Sequence, residues 1–185
     1  MNKKDTVVFD LDGTLLDTLE DLKNSVNYAM TQCGYPEHTL DEVRRYVGNG
    51  ILLLMQRAIP GGKDDPNFDK AFTLFKEHYG KHCNDTTKSY AGIMELLHTL
   101  KENNIKIAIV SNKADFAVKE LNAIYFKDLI PVAIGEKESE GIRKKPAPDT
   151  VIEALKQLGS TAENSVYIGD SDVDIETARN SGMDE

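Results

Sequence analysis

The chain has 185 residues, of which 40% are hydrophobic and 29% are charged, and its formal net charge at pH 7 is −9. This composition is typical of a globular protein with one sizeable core, or with a core and a small insertion. The negative charge argues against nucleic acids and anionic membranes as partners, because both favour clusters of Lys and Arg. No apolar run approaches the ~20 residues that span a bilayer, and the polar start MNKKD lacks the apolar core of a signal peptide, so we expect a cytoplasmic protein.

The first predicted element is a short buried strand that ends in two aspartates. Val7, Val8 and Phe9 form an uninterrupted apolar run, which is typical of a strand in a parallel sheet. Asp10 and Asp12 follow directly. Because residues i and i+2 of an extended backbone point the same way, both carboxylates can face one pocket at the carboxyl end of the strand.

A cation is needed if both of these carboxylates are to stay ionised in a semi-buried pocket, since like charges repel. Carboxylate and carbonyl oxygens suit Mg²⁺, and Gly13 permits a turn or the close approach of a ligand. The alternative is a strand that ends in a polar turn, because Asp and Gly are common turn residues. A short motif of this kind, taken alone, leaves both interpretations open.

Residues 15–88 show only helical patterns, which predicts a helical insertion after the first strand. Four helices are predicted here. The first covers residues 18–33, and the second begins at the capping box Thr39-Leu40-Asp41-Glu42. The third and fourth cover 51–58 and 68–83. Gly48-Asn49-Gly50 separates the second of these helices from the third.

From residue 89 onward, apolar strands alternate with helices, which predicts a parallel sheet with right-handed crossovers. The predicted strands are 105–110, 131–135 and 165–168, and the predicted helices are 92–103, 114–124, 148–158 and 174–180. We therefore predict an α/β fold with a doubly wound, Rossmann-like parallel sheet in residues 1–14 and 89–185. A small all-helical cap domain, residues 15–88, is inserted after the first strand.

Polar residues follow each later strand, at the edge where open parallel sheets carry their sites. They are Ser111-Asn112-Lys113, Lys144-Lys145-Pro146 and the run Gly169 to Asp174. Together with the first acid pair, they supply what phosphoryl transfer requires: N–H, hydroxyl and cationic groups for phosphate oxygens, and acids for a metal. Attack by a carboxylate would give an aspartyl-phosphate, and a second carboxylate could protonate the leaving oxygen and later deprotonate water.

The chain resembles the haloacid dehalogenase superfamily of phosphohydrolases over essentially its whole length. The matching motifs, in order, are DLDGT at 10–14, Ser111, Lys145 in KPAPD, and GDSDVD at 169–174. The resemblance implies that Asp10 is the nucleophile and that Asp12 is the general acid and base. Asp12 also argues against dehalogenase chemistry, because that branch of the superfamily lacks this acid and works without metal.

The same resemblance implies the remaining site residues. It implies Mg²⁺ bound by Asp10, Asp170 and the backbone carbonyl of Asp12, with Asp174 in a supporting role. It implies phosphate binding by Ser111 and Lys145, and we expect Gly13, Thr14 and Asn112 to take part in it. Lys144 is an alternative to Lys145, although the lysine directly before proline fits the family pattern better.

Within the predicted cap, Tyr46-Val47-Gly48-Asn49-Gly50 and the apolar helix after it are similar to phosphoglycolate phosphatases. Gly50 opens that helix, so its free amides could receive a substrate carboxylate; the alternative is a glycine-rich break between two helices. We expect a Mg²⁺-dependent phosphatase of a small phosphorylated metabolite, with 2-phosphoglycolate as the first candidate. A phosphomutase similar to β-phosphoglucomutase and a catalytically weak binding or regulatory fragment are the alternatives.

Members of the superfamily continue past the last motif with a helix, a strand and a helix, whereas this chain ends after one predicted helix. We therefore expect a chain truncated at its C-terminus. Val166, Tyr167 and Ile168 would then lie at an exposed sheet edge, which predicts a monomer or an edge-paired dimer.

Overall fold

The computed structural model describes residues 4–184, which form two compact units. One unit combines the residues up to Leu16 with those from Ser89 onward, and the other comprises Asp17–Lys88. The chain passes from one unit to the other within two short strands, β2 (Leu16–Asp17) and β3 (Lys88–Ser89). The sequence prediction missed both strands, because two residues are too few to show a strand's apolar alternation.

The larger unit is built on a four-stranded sheet whose strands are all parallel. The strands are β1 (Thr6–Phe9), β4 (Lys106–Ala114), β5 (Val132–Glu136) and β6 (Ser165–Ile168), in the spatial order β5-β4-β1-β6. Phe9 at the end of β1 lies in register with Ile109 of β4 and Ile168 of β6. The predicted parallel sheet is confirmed, and its register brings the carboxyl ends of β1 and β6 to the same level.

The unit Asp17–Lys88 is helical and has a core of its own. Its helices are α1 (Leu19–Gln32), α2 (Leu40–Tyr46), α3 (Ile51–Ala58) and α4 (Phe68–His82). The predicted capping box at the start of α2 is present: the Thr39 side chain accepts from the Glu42 N–H, and the Glu42 carboxylate accepts from the Thr39 N–H. Apolar side chains from all four helices pack together, among them Val26, Val43, Met55 and Phe75.

Helices cover both faces of the parallel sheet, as predicted for a doubly wound fold. They are α5 (Ile93–Glu102), α6 (Asp115–Tyr125), α7 (Asp149–Leu158) and α8 (Asp172–Ser181). Phe9 of β1 packs in one cluster with Leu97 of α5 and Leu121 of α6. The neighbouring residue Val8 packs in a second cluster with Val151 of α7, because successive strand residues point to opposite faces. None of the helices in the described part of the chain is long and apolar enough to cross a membrane.

Two element boundaries near the carboxyl edge of the sheet differ from the prediction by two residues or more. Strand β4 continues to Ala114, whereas the prediction ends it at 110 because the next residues are polar. These residues, Ser111, Asn112 and Lys113, are nevertheless buried in the strand. Helix α8 begins at Asp172 instead of 174, because the residue before it is the N-cap.

Within residues 4–184, β6 is an edge strand of the sheet, as predicted for Val166, Tyr167 and Ile168. Asp184, however, forms a parallel bridge with Val166, and its carbonyl accepts a hydrogen bond of 2.9 Å from the Tyr167 N–H. The Tyr167 side chain is buried, whereas Ile168 is 39% exposed. The edge that the sequence predicts to be open is thus paired at Val166 and Tyr167, and its exposed residue is Ile168.

Candidate active site

Asp10 lies directly after β1 with its side chain buried at the carboxyl edge of the sheet. Its N–H donates to the carbonyl of Ile168 at 2.9 Å, which continues the pairing of β1 with β6 by one residue. Burial raises the pKa of the Asp10 carboxyl to about 6; the Lys145 charge opposes this shift, and the nearby Asp174 and Asp12 charges add to it. The buried carboxylate therefore gains stability from positive charge nearby, and Lys145 supplies such a charge at 2.8 Å.

Three acids converge at this edge, although 160 residues separate Asp10 from Asp170 along the chain. Asp10, Asp170 and Asp174 each offer a carboxylate oxygen, and these oxygens lie within 4.8 Å of one another. Burial and the Asp174 charge raise the pKa of Asp170. Burial would also raise the pKa of Asp174, but Lys145 and hydrogen bonds from its neighbours lower it.

Two glycines make room for this convergence. A Cβ on Gly169 would lie 2.3 Å from Cγ of Asp174, and a Cβ on Gly13 would lie 2.3 Å from Oδ2 of Asp170. Gly13 also has a φ of +86°, which side chains disfavour. The acids can approach the backbone this closely only where a side chain is missing.

Helix α8 positions Asp174 through its N-terminal cap. Ser171 precedes the helix, and its hydroxyl and N–H both donate to Oδ2 of Asp174, at 2.6 and 3.2 Å. The other oxygen, Oδ1, accepts from the Lys145 ammonium. The Ser-x-x-Asp spacing from residue 171 to 174 is a capping signal that the sequence analysis did not use.

Lys145 links two of the three acids. Its buried Nζ lies 2.8 Å from Oδ1 of Asp10, 2.7 Å from Oδ1 of Asp174 and 3.1 Å from the Tyr167 hydroxyl. Burial alone would lower the pKa of Lys145, but the Asp10, Tyr167 and Asp174 groups raise it well above its usual value. Lys144 points elsewhere and pairs with Glu138 at 3.0 Å. The structure thus brings Lys145, and not the alternative lysine, to the acids.

The other predicted phosphate ligands lie around this cluster. The Thr14 hydroxyl donates to Oδ1 of Asp170 at 3.4 Å, and the Asn112 amide donates to the backbone carbonyl of Lys145 at 3.1 Å. Ser111 is buried, and its Oγ accepts from the Lys113 N–H at 3.2 Å. Thr14 thus contacts an acid of the cluster and Asn112 contacts the backbone of Lys145, and the role of all three side chains in phosphate binding stays a prediction.

Asp12 has a cationic partner to which the sequence analysis gave no role. Nζ of the buried Lys113 lies 2.8 Å from Oδ1 of Asp12. The signal that could have found it is its place two residues after Ser111, because strand residues at i and i+2 point the same way.

Gly50 belongs to the unit Asp17–Lys88, where it precedes α3 with a φ of +86°. Its predicted role toward a substrate carboxylate stays a prediction.

The acid cluster fits a divalent cation by its chemistry. All three side chains offer carboxylate oxygens, which Mg²⁺ prefers over nitrogen or sulfur ligands. The ammonium of Lys145 offsets part of their charge already. The cluster could therefore hold a divalent cation, which would supply positive charge beside Asp10.

The chain is similar in sequence to known proteins. The haloacid dehalogenase-like hydrolase family matches residues 7–185. Phosphoglycolate phosphatases from Pseudomonas putida and Aquifex aeolicus are 31% and 32% identical to the chain over 96% and 95% of its length. The chain spans 66% of the first relative's length and 80% of the second's.

Solved structures show the same fold. A crystal structure from Lactobacillus delbrueckii subsp. bulgaricus, provisionally assigned as a phosphoglycolate phosphatase, has a TM-score of 0.90 and 36% identity, covering 99% of this chain and 85% of that one. A predicted phosphoglycolate phosphatase from Haemophilus somnus has a TM-score of 0.88 and 27% identity, covering 99% and 84%. From its sequence and its fold, the chain belongs to the haloacid dehalogenase-like hydrolase family.

Proposed function

We propose that this protein is a Mg²⁺-dependent phosphatase that hydrolyses a small phosphorylated metabolite through an aspartyl-phosphate on Asp10. The observation that carries the proposal is the convergence of Asp10, Asp170 and Asp174, two of which, Asp10 and Asp174, also contact the ammonium of Lys145. The relatives named phosphoglycolate phosphatase support 2-phosphoglycolate as the first substrate to test.

The chemistry begins with the carboxylate of Asp10. One of its oxygens attacks phosphorus, so that a bond from phosphorus to Asp10 forms while the ester P–O bond breaks. Asp12 gives its proton to the leaving alkoxide and becomes a carboxylate. In the second step Asp12 takes a proton from water, the oxygen of that water attacks phosphorus, and inorganic phosphate leaves as Asp10 is restored.

The charged groups around Asp10 make this attack feasible. A phosphate ester and a carboxylate are both anionic, and the chain has a net charge of −9, so positive charge must be concentrated at the site. Lys145 supplies one such charge beside Asp10. Mg²⁺ held by Asp10, Asp170 and Asp174, together with the backbone carbonyl of Asp12, would supply the remainder.

A carboxylate on the substrate would be received by the free amides at the start of α3, after Gly50. Arg57 supports the loop before this helix, because its guanidinium donates to the carbonyl of Tyr46 at 2.8 Å and to Oδ1 of Asn49 at 3.0 Å. This part of the proposal concerns substrate choice and is independent of the reaction at Asp10.

The test is phosphate release from 2-phosphoglycolate, p-nitrophenyl phosphate and β-glucose 1-phosphate, with and without Mg²⁺. We expect Mg²⁺-dependent release, with 2-phosphoglycolate among the best substrates. Asp10→Asn should lower kcat at least about 10³-fold, because it removes the nucleophile. Asp172→Asn is the matched control, since Asp172 is an exposed acid of the same motif and lies outside the acid cluster.

Three outcomes would contradict parts of the proposal. Equal rates for the wild type and Asp10→Asn would exclude Asp10 as the nucleophile. Conversion of β-glucose 1-phosphate to the 6-phosphate with a bisphosphate primer would favour a phosphomutase. Binding of phosphate analogues without turnover of any ester would favour a binding or regulatory protein.

A further inference from the structure

A second buried lysine lies at the carboxyl edge of the sheet, and the proposed chemistry has not yet used it. Lys113 is 5% exposed, and its Nζ lies 2.8 Å from Oδ1 of Asp12. A buried ammonium is costly unless it is paired, so this contact determines where the end of the side chain lies. The partner is the acid to which we assign the proton transfers.

The backbone holds Lys113 in this position. It lies within β4, one residue before Ala114, which is paired in the sheet with Glu136 of β5. Its N–H donates to Oγ of Ser111 at 3.2 Å. Ser111 and Lys113 thus lie in one stretch of β4, between the paired residues Val110 and Ala114, where the register with β5 shifts.

The two buried lysines serve different acids. Lys145 contacts Asp10 and Asp174, whereas Lys113 contacts Asp12. The two aspartates of the first motif are thus each held by a separate cation.

We propose that Lys113 is a positioning residue that orients Asp12 for proton transfer to and from the reacting oxygens. This inference rests on the proposed function, in which the leaving alkoxide takes the proton of Asp12 as the ester P–O bond breaks. By holding Oδ1, Lys113 fixes the plane of the carboxyl group. Its charge also stabilises the Asp12 carboxylate that remains after the proton has left.

The role can be measured by the dependence of the rate on the leaving group. An alkoxide needs a proton as it leaves, whereas p-nitrophenolate is stable without one. Lys113→Met should therefore lower kcat for an alkyl phosphate about 10- to 100-fold, which is at or below the ~10²- to 10⁴-fold that general acid catalysis contributes, because Asp12 itself is still present. It should lower kcat for p-nitrophenyl phosphate less than about 3-fold and leave KM for both esters nearly unchanged.

Conservative and control variants separate positioning from folding. Lys113→Arg keeps the charge and should restore part of the rate on the alkyl ester. Lys113→Gln is the second neutral variant if Lys113→Met does not fold. Lys119→Met is the matched control, because Lys119 is on the neighbouring helix α6, has an exposed side chain and pairs with Asp115 instead.

A double-mutant cycle tests whether Lys113 acts through Asp12. In the Asp12→Asn background, Lys113→Met should cause no further loss on the alkyl ester, because the group it orients is already missing. Losses that multiply in the double variant would overturn the inference, and so would equal losses on both esters that Lys113→Arg does not restore. If the wild type is active and Lys113→Met matches it, only this inference fails; if the wild type releases no phosphate from any ester, the proposed function fails first.

Discussion

At the scale of single residues, the space left by glycine decides how closely the acids can approach. Gly169 does not have a left-handed φ, so replacing it tests the contact with Asp174 without adding backbone strain. A side chain at Gly13 would both contact Asp170 and strain the backbone, whose φ is +86° there. Replacing Gly13 would therefore not separate the loss of space from the strain.

We predict that Gly169→Ala weakens Mg²⁺ binding and lowers activity by about 10- to 100-fold, the range seen when groups supporting a metal site are lost. The new Cβ would lie 2.3 Å from Cγ of Asp174, so the acid must move. Calorimetric titration with Mg²⁺ and phosphate release measure the two effects. Gly80→Ala is the control, because Gly80 lies within α4 with no atom near its Cβ position, and this variant should bind Mg²⁺ as the wild type does. Unchanged binding in Gly169→Ala would show that Asp174 does not support the ion.

At the scale of elements, one buried acid joins α1, the first helix of the unit Asp17–Lys88, to the end of the same unit by hydrogen bonds. Asp21 of α1 accepts hydrogen bonds from the N–H and hydroxyl groups of Thr86 and Thr87, at distances from 2.7 to 3.1 Å. Burial acts to raise the pKa of Asp21, but these hydrogen bonds outweigh it and lower the pKa below the usual 3.8. The ionised form is therefore the one that stabilises the fold.

We predict that Asp21→Asn lowers the free energy of unfolding by about 2 to 3 kcal/mol at pH 7, since hydrogen bonds to a charged acceptor are lost. Because the pKa is lower in the folded state, this stabilisation is complete above the unfolded-state pKa of about 3.8 and is lost as the pH falls through the folded value. Urea unfolding at pH 7 and at decreasing acidic pH should show the gap between variant and wild type closing. The exposed Asp41→Asn is the control and should change stability by less than about 0.5 kcal/mol. A gap that widens in acid would mean that Asp21 is not the stabilising anion.

Most elements follow from sequence patterns, and the differences have identifiable causes. Apolar runs place β1 and β6, and the Thr39 capping box places the start of α2. The end of β4 could not be found from polarity, because Lys113 is buried through its contact with an acid 101 residues away in the chain. The motifs likewise indicate which acids meet, whereas the link from Lys145 to both Asp10 and Asp174 appears only once the strands are in register.

At the scale of the whole molecule, the proposed metal would affect the stability of the fold as well as catalysis, because the chain is acidic. A chain with a net charge of −9 gathers three acids at one edge of its sheet, and their mutual repulsion opposes folding. A cation that binds only the folded state relieves this repulsion and shifts the folding equilibrium.

We predict that Mg²⁺ at 100 times its Kd raises the free energy of unfolding by about 2.7 kcal/mol. Thermal unfolding across a Mg²⁺ titration measures the effect. Asp170→Asn should reduce or abolish it, and Asp172→Asn should retain it, because Asp172 lies outside the cluster. An equal Mg²⁺ effect in both variants would place the ion elsewhere.

In the proposed reaction, Asp10 forms a bond to phosphorus beside a Mg²⁺ ion held by Asp170 and Asp174. A crystal structure of the protein with Mg²⁺ and beryllofluoride, which imitates a phosphoryl group, tests it most directly. We predict beryllium bonded to a carboxylate oxygen of Asp10, with Mg²⁺ among the three acids. Beryllofluoride bonded to another residue, or Mg²⁺ bound away from Asp10 and Asp170, would contradict the account.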